Sequence, residues 1–367
     1  MFRKRALKSF SIIIILCIGV VAFGLGNCIG SELGNAGQKA FELRMNGQVD
    51  EAKALLEKTI SEDSTNALAH YELARTKYHI GLGNPRELIN KLTEIQYSID
   101  QAIKYDPANV IYTFFKGRIS FLSAYVSIQR NQPDTKEEVI KACRVFESAL
   151  KLKPDYSEVM LYLVEIYGLL PGDMGGDRSK AEKYAKQLEK MDKFYGAKAR
   201  SMLLSEDVDR VDFWKKVQEN QKGNTGVLEE LGRAYLHKGE DEKSTKCFEQ
   251  AVKIDPAKRI LFLDLARYHI MSTMRDKTKK DTALPKAEEA IKKYLNSEPI
   301  PPLKAYTLEL SAKVKFGMSD NKGAGELRAK AQAIYPYYSK ASAVPPRELF
   351  VSPQVISHNH EYYFRPF

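Results

Sequence analysis

Four arginines in this 367-residue chain stand where a carboxylate could be met. Arg75 has Tyr71 four residues before it and Tyr78 three after, and Arg118 has Phe114 and Phe121 at the same two offsets. Residues three and four apart share one face of a helix, so each guanidinium belongs to a stripe of aromatic rings. A guanidinium takes a carboxylate bidentately, and the rings add apolar contact area. Arg233 and Arg267 repeat the basic position further along the chain. Tyr71, Arg75, Tyr78, Phe114, Arg118, Phe121, Arg233 and Arg267 are therefore the candidate groove for a carboxylate-bearing peptide or protein. The competing reading is a solvated scaffold, in which arginine stems pack along helices while their heads reach water.

No catalytic constellation accompanies them. The chain lacks a Gly-x-Ser-x-Gly elbow, a Walker-type loop and a His-Glu-x-x-His pair. Gly81-Leu82-Gly83-Asn84-Pro85 falls at a helix end and reads as a turn. His358, His360 and Glu361 form a weak chelating set. Asp173, Asp177 and the Gly175-Gly176 pair lack the alternating acids and final Glu of a calcium loop. The expectation is a non-enzymatic protein with no cofactor and no catalytic or metal site; an unrecognised enzyme is the remote alternative.

The elements that would position such a groove are repeats. Residues 225–258 carry Leu228, Leu231, Gly232, Tyr235, Gly239, Phe248, Ala251 and Pro256. In that order and spacing they resemble the tetratricopeptide repeat, a 34-residue helix-turn-helix unit. Only Ser244 departs, standing where the family has Ala. Gly232 keeps the first helix close to its partner, Tyr235 and Phe248 fill the space between the two, Gly239 permits a left-handed turn, and Pro256 ends the unit. The frame recurs from residue 33 to 336 as about eight helix pairs, four of them with extra residues between their two helices. One pair, near residues 195–222, is degenerate. The fold expected is an all-α, right-handed superhelical solenoid over residues 33–336, preceded by a targeting segment (1–28) and followed by a Pro- and aromatic-rich tail (337–367). The resemblance implies that the first helix of each pair lines a concave surface and binds a peptide or protein there. Its ninth position reads Phe41, Arg75, Arg118, Glu165, Leu203, Arg233, Arg267 and Lys313, five of eight basic.

Residues 1–24 hold Arg3, Lys4, Arg5 and Lys8 with no acid, ahead of an uncharged apolar run. That is the layout of an export signal. Three readings stand. Cys28 resembles a lipobox cysteine and is the candidate for lipidation; cleavage can fall after Gly24; or the run spans a membrane uncleaved. All three imply an exported protein, periplasmic or membrane-anchored through its N-terminus, and the signal and lipobox pattern implies a bacterial origin. Gly175-Gly176-Asp177 is also similar to a loop of the T component of tripartite periplasmic organic-acid transporters, the alternative function. Cys143 and Cys247 are expected to be buried and unbridged. The net charge of +10 is uneven: residues 258–340 hold seventeen basic and nine acidic side chains. For an exported chain this patch points to an anionic membrane or an acidic protein, not nucleic acid.

Overall fold

The computed structural model describes residues 28–82, 85–130 and 132–338. Among them are sixteen α-helices and no strand. They pair in sequence as antiparallel neighbours: α1 (Cys28–Met45) with α2 (Val49–Glu62), α3 (Ala67–Leu82) with α4 (Pro85–Tyr105), α5 (Val110–Gln129) with α6 (Thr135–Leu152), and α7 (Ser157–Leu169) with α8 (Arg178–Met191). Then α9 (Lys193–Met202) stands beside α10 (Arg210–Asn220), α11 (Thr225–Lys238) with α12 (Asp241–Ile254), α13 (Leu261–Arg275) with α14 (Lys280–Leu295), and α15 (Pro301–Gly317) with α16 (Asn321–Ile334). The result is an all-α solenoid of tetratricopeptide-like pairs. Of the targeting segment, only the helical start at Cys28 is described; residues 1–27 and 339–367, with His358, His360 and Glu361, lie outside the described residues.

The repeat chemistry is visible in two pairs. A methyl group on Gly232 would lie 2.3 Å from the Phe248 ring, and one on Gly117 would lie 2.7 Å from the Phe146 ring. In both pairs the missing side chain is the space that the partner helix's Phe fills. Gly239 ends α11 at φ +82°. Helix starts are set by side chains that accept from the first free amides: Asn109, Asp177, Asp192, Asp209 and Asn224.

The extra residues of the second pair are helical rather than a loop. They extend α4 to 21 residues. Leu88, Leu92, Ile95, Ile99 and Ala102 keep a helical period and are buried in one core with α3 and α5. The insertion of the fourth pair is a true turn. Gly175 has φ +95°, and a methyl on Gly176 would sit 1.7 Å from the Leu170 carbonyl oxygen. Asp177 then caps α8 through the amides of Ser179 and Lys180. The Gly-Gly-Asp sequence thus has a sufficient cause in turn geometry.

Odd-numbered helices of successive pairs touch one another (α1 with α3, α7 with α9, α13 with α15), whereas no even-numbered helix packs comparably on the next even one. The odd helices are therefore the inner layer of a curved array. The array completes a turn. Tyr335 stacks on His79 with ring centroids 5.4 Å apart, and the Tyr337 hydroxyl donates to Asp50 at 2.7 Å. Val49 and Ile80 join the hydrophobic core of the last pairs. Among the described residues, these contacts join the α1–α2 turn and the end of α3 to the start of α15 and residues 334–337. No helix of the first pair packs along the length of α15 or α16. The last pair thus sits end-on above the first, like a lock washer.

Gly176→Ala should destabilise the array by about 1–3 kcal/mol, because the carbonyl it meets belongs to the backbone. Gly172→Ala, whose methyl would meet nothing within 4 Å, should leave stability unchanged. Thermal melts followed by circular dichroism compare the two.

Candidate binding surface

The inner layer is a ladder of charges. Arg44 on α1, fully buried, donates to Glu72 on α3 at 2.7 Å and to Thr76 at 2.9 Å. The other oxygen of Glu72 accepts from Arg75 at 2.6 Å, so one carboxylate lies between two guanidiniums. Burial lowers the Arg44 pKa against the opposing pull of Glu72. Arg75 also lies over the rings of Tyr71 and Phe41. Arg118 Nε donates to the Tyr162 hydroxyl at 3.1 Å. Tyr195 donates to Glu158 at 3.1 Å.

The ladder continues through the later pairs. Lys198 on α9 meets Glu230 on α11 at 2.9 Å. Burial pushes the Glu230 carboxyl up, but Lys198 and Arg233 together hold it below its ordinary value. Arg233 meets Glu229 at 2.7 Å and reaches Asp264 on α13 at 3.1 Å. Glu229 also takes Lys258 at 2.8 Å. Arg267 stands 3.9 Å from Asp264. On α15, burial raises the Glu309 carboxyl and lowers Lys313, each partly offset by the other's charge.

These contacts place the eight candidate residues. Arg75 and Arg118 are 3% and 5% exposed. Tyr71, Tyr78, Phe114 and Phe121 are buried in core clusters. Tyr71 packs on Tyr112 at 4.6 Å, Tyr78 meets the edge of Phe115, and Phe114 meets Tyr156 and Tyr162. Their apolar area serves the packing of pairs two to four. Substituting Arg75 and Arg118 would therefore cost stability, since both guanidiniums are built into that packing. Arg233 and Arg267 differ, with side chains 21% and 12% exposed. Residues overlooked in the sequence are Arg44, Glu72, Lys198, Glu229, Glu230 and Asp264.

Cys143 and Cys247 are buried and unbridged. Burial pushes the Cys143 thiol up to about 12 and the Cys247 thiol up to about 11. Among the described residues no cluster of His, Cys, Asp and Glu has the grouping of a metal site, and no helix is long and apolar enough to cross a membrane.

No family model and no curated protein matches the chain. Among solved structures, the chain is similar to a tetratricopeptide repeat protein from Parabacteroides merdae, with 15% identity, a TM-score of 0.38, and 88% of this chain and 98% of that one covered. It is also similar to TTC0263, a tetratricopeptide protein of Thermus thermophilus, with 18% identity, a TM-score of 0.35, and coverage of 61% and 92%. A third is PilW, a type IV pilus biogenesis factor, with 17% identity, a TM-score of 0.30, and coverage of 72% and 96%. Likenesses this loose carry nothing about function.

Two outcomes follow from the ladder. Glu72→Ala strands two buried guanidiniums and should cost about 3–5 kcal/mol, read as a lowered denaturation midpoint. His79, at the join between the two ends, is held well below its ordinary pKa by burial, then by the charges of Arg44 and Arg75. The unfolded chain binds a proton there near pH 6.5 and the folded chain does not. Stability should fall as pH drops from about 7 to 5, and His79→Phe should flatten that slope in melts across the range.

Proposed function

We propose that this chain is a non-enzymatic interaction scaffold that takes a protein or peptide partner along its inner helices. The partner bears carboxylates, and its seat is the α11–α13–α15 stretch around Arg233 and Arg267 rather than the Arg75–Arg118 stretch. The observation that carries this is the contrast in exposure along one ladder. The same chemical stripe is closed over in pairs two and three, and partly exposed in pairs six and seven. There Arg233, Lys258 and Arg267 are already held in place by Glu229 and Asp264, so little side-chain entropy is lost when a ligand binds. His237, exposed at the end of α11, continues the stripe. The scaffold acts on the far side of a membrane, delivered by residues 1–28; the support is the four cations ahead of an uncharged apolar run.

A photo-reactive benzoylphenylalanine placed at position 237, on the inner layer, should form protein adducts in the native host. The same group at position 253, on α12 of the outer layer, should not. Arg267→Gln should cut the adduct yield at 237 about tenfold, the loss of one charge-assisted contact, with an unchanged melting curve. Adducts only from position 253, or a yield at 237 indifferent to Arg267→Gln, would refute the reading.

A further inference from the structure

The turns that join α13 to α14 and α15 to α16 lie side by side. A methyl on Gly317 would meet Leu284 of α14, and Lys315 pairs with Glu288 across the same seam at 2.8 Å. Three large apolar side chains stand out into water there: Met274 (79% exposed), Phe316 (61%) and Met318 (37%). Around them are Arg275, Lys277, Lys279, Lys280 and Lys322, all exposed.

None of these five cations enters an ion pair among the described residues. The adjoining turn between α11 and α12 is built differently: Lys238 is paired with Asp209, Lys243 with Glu240, and Lys286 with Asp241. Three acids share the Met274–Phe316 rim, namely Asp276, Asp281 and Asp320. Two of them are turned to the backbone: Asp276 accepts from the amide of Thr278, and Asp320 from that of Gly323. The rim therefore presents unpaired positive charge around exposed apolar tips, which is the complement of an acidic surface with an apolar anchor.

An anionic bilayer would offer similar chemistry, and the rim stands apart from the junction that ties the first pair to the last. Helix α1 runs from Cys28 toward the junction where its C-terminal turn meets Pro301 and Tyr335. Helix α15 starts at that junction and runs on to Phe316. Each helix is about 26 Å long, and they meet end to end. Cys28 and the rim therefore each lie a helix length from that junction, at the far ends of different helices.

We propose that the α13–α14 and α15–α16 turns form a second docking surface, separate from the inner layer, for an acidic protein segment that carries apolar side chains among its carboxylates. The probe is a short fluorescein-labelled peptide of Glu interspersed with Leu, titrated with the full chain and followed by anisotropy. A Glu–Ser peptide of the same charge is the control. The Glu–Leu peptide should bind about tenfold more tightly than the control. Binding should be lost in Lys277→Glu/Lys279→Glu/Lys280→Glu, weaken about fivefold in Met274→Ser/Phe316→Ser, and be unmoved by Arg267→Gln. That last variant separates failure here from failure of the inner-layer reading. Equal binding by the charge-reversed chain, or no preference for the Glu–Leu peptide, overturns the proposal. So does lysine-dependent co-sedimentation with vesicles of about 30 mol% phosphatidylglycerol in the absence of peptide binding. In that case the surface belongs to a membrane.

Discussion

A charge carried into the contact between two helices must bring its counter-charge along, because desolvation of an unmatched ion costs several kcal/mol. The inner layer of this solenoid is where that constraint acts. Its odd helices lean together across pair boundaries, so their facing side chains lose water. Arg44 on α1 reaches Glu72 on α3, Lys198 on α9 reaches Glu230 on α11, and Arg233 on α11 reaches Asp264 on α13. Each pairing crosses from one helix pair to the next. A buried ion pair adds little stability over an apolar contact of the same shape. What it adds here is register: a pair slipped by one helical turn would leave both partners buried and unmatched.

Stacking by such contacts leaves two ends, and the terminal units of a solenoid have faces with no neighbour. In this chain the two ends meet at an edge, through the α1–α2 turn and the end of α3. Val49 and Ile80, from the first two pairs, are buried in the same core as Leu303 and Tyr335 from the last. The join is polar at its margin, through Tyr337 and Asp50, and aromatic at its centre, through Tyr335 and His79. A neutral imidazole suits a site beside Arg44 and Arg75, where a protonated one would add a third positive charge.

Much of the fold was legible because it rests on local rules. The succession of helix pairs follows from a spacing that places Gly232 under Phe248, a relation that Gly117 and Phe146 repeat. The lengthened α4 was legible too, in the helical period from Leu88 to Ala102, though a count of residues between motifs suggested a loop. The candidate surface was legible in part. Basic residues do line the inner stripe, and the acids that answer them stand one turn earlier: Glu72 before Arg75, Glu229 before Arg233, Asp264 before Arg267, Glu309 before Lys313. That is the i,i+3 and i,i+4 spacing of helix ion pairs, and it marks a matched ladder where a row of arginines alone suggests an open groove. Arg118 has aromatic residues at those offsets, and its phenol partner, Tyr162, comes 44 residues later. Only the stacking of pairs three and four brings them together.

The surplus of positive charge in residues 258–340 now divides into two kinds. Lys258 and Arg267 spend theirs on Glu229 and Asp264 in the ladder, and Lys286, Lys293 and Lys315 on acids of neighbouring helices. Of the cations left without an acid, Arg275, Lys277, Lys279, Lys280 and Lys322 lie on the two adjoining turns, beside the exposed side chains of Met274 and Phe316. A charge surplus kept for solubility would be spread among polar neighbours, since exposed Met and Phe work against solubility. Cations that stay unpaired around exposed apolar tips are placed for contact with something outside the array.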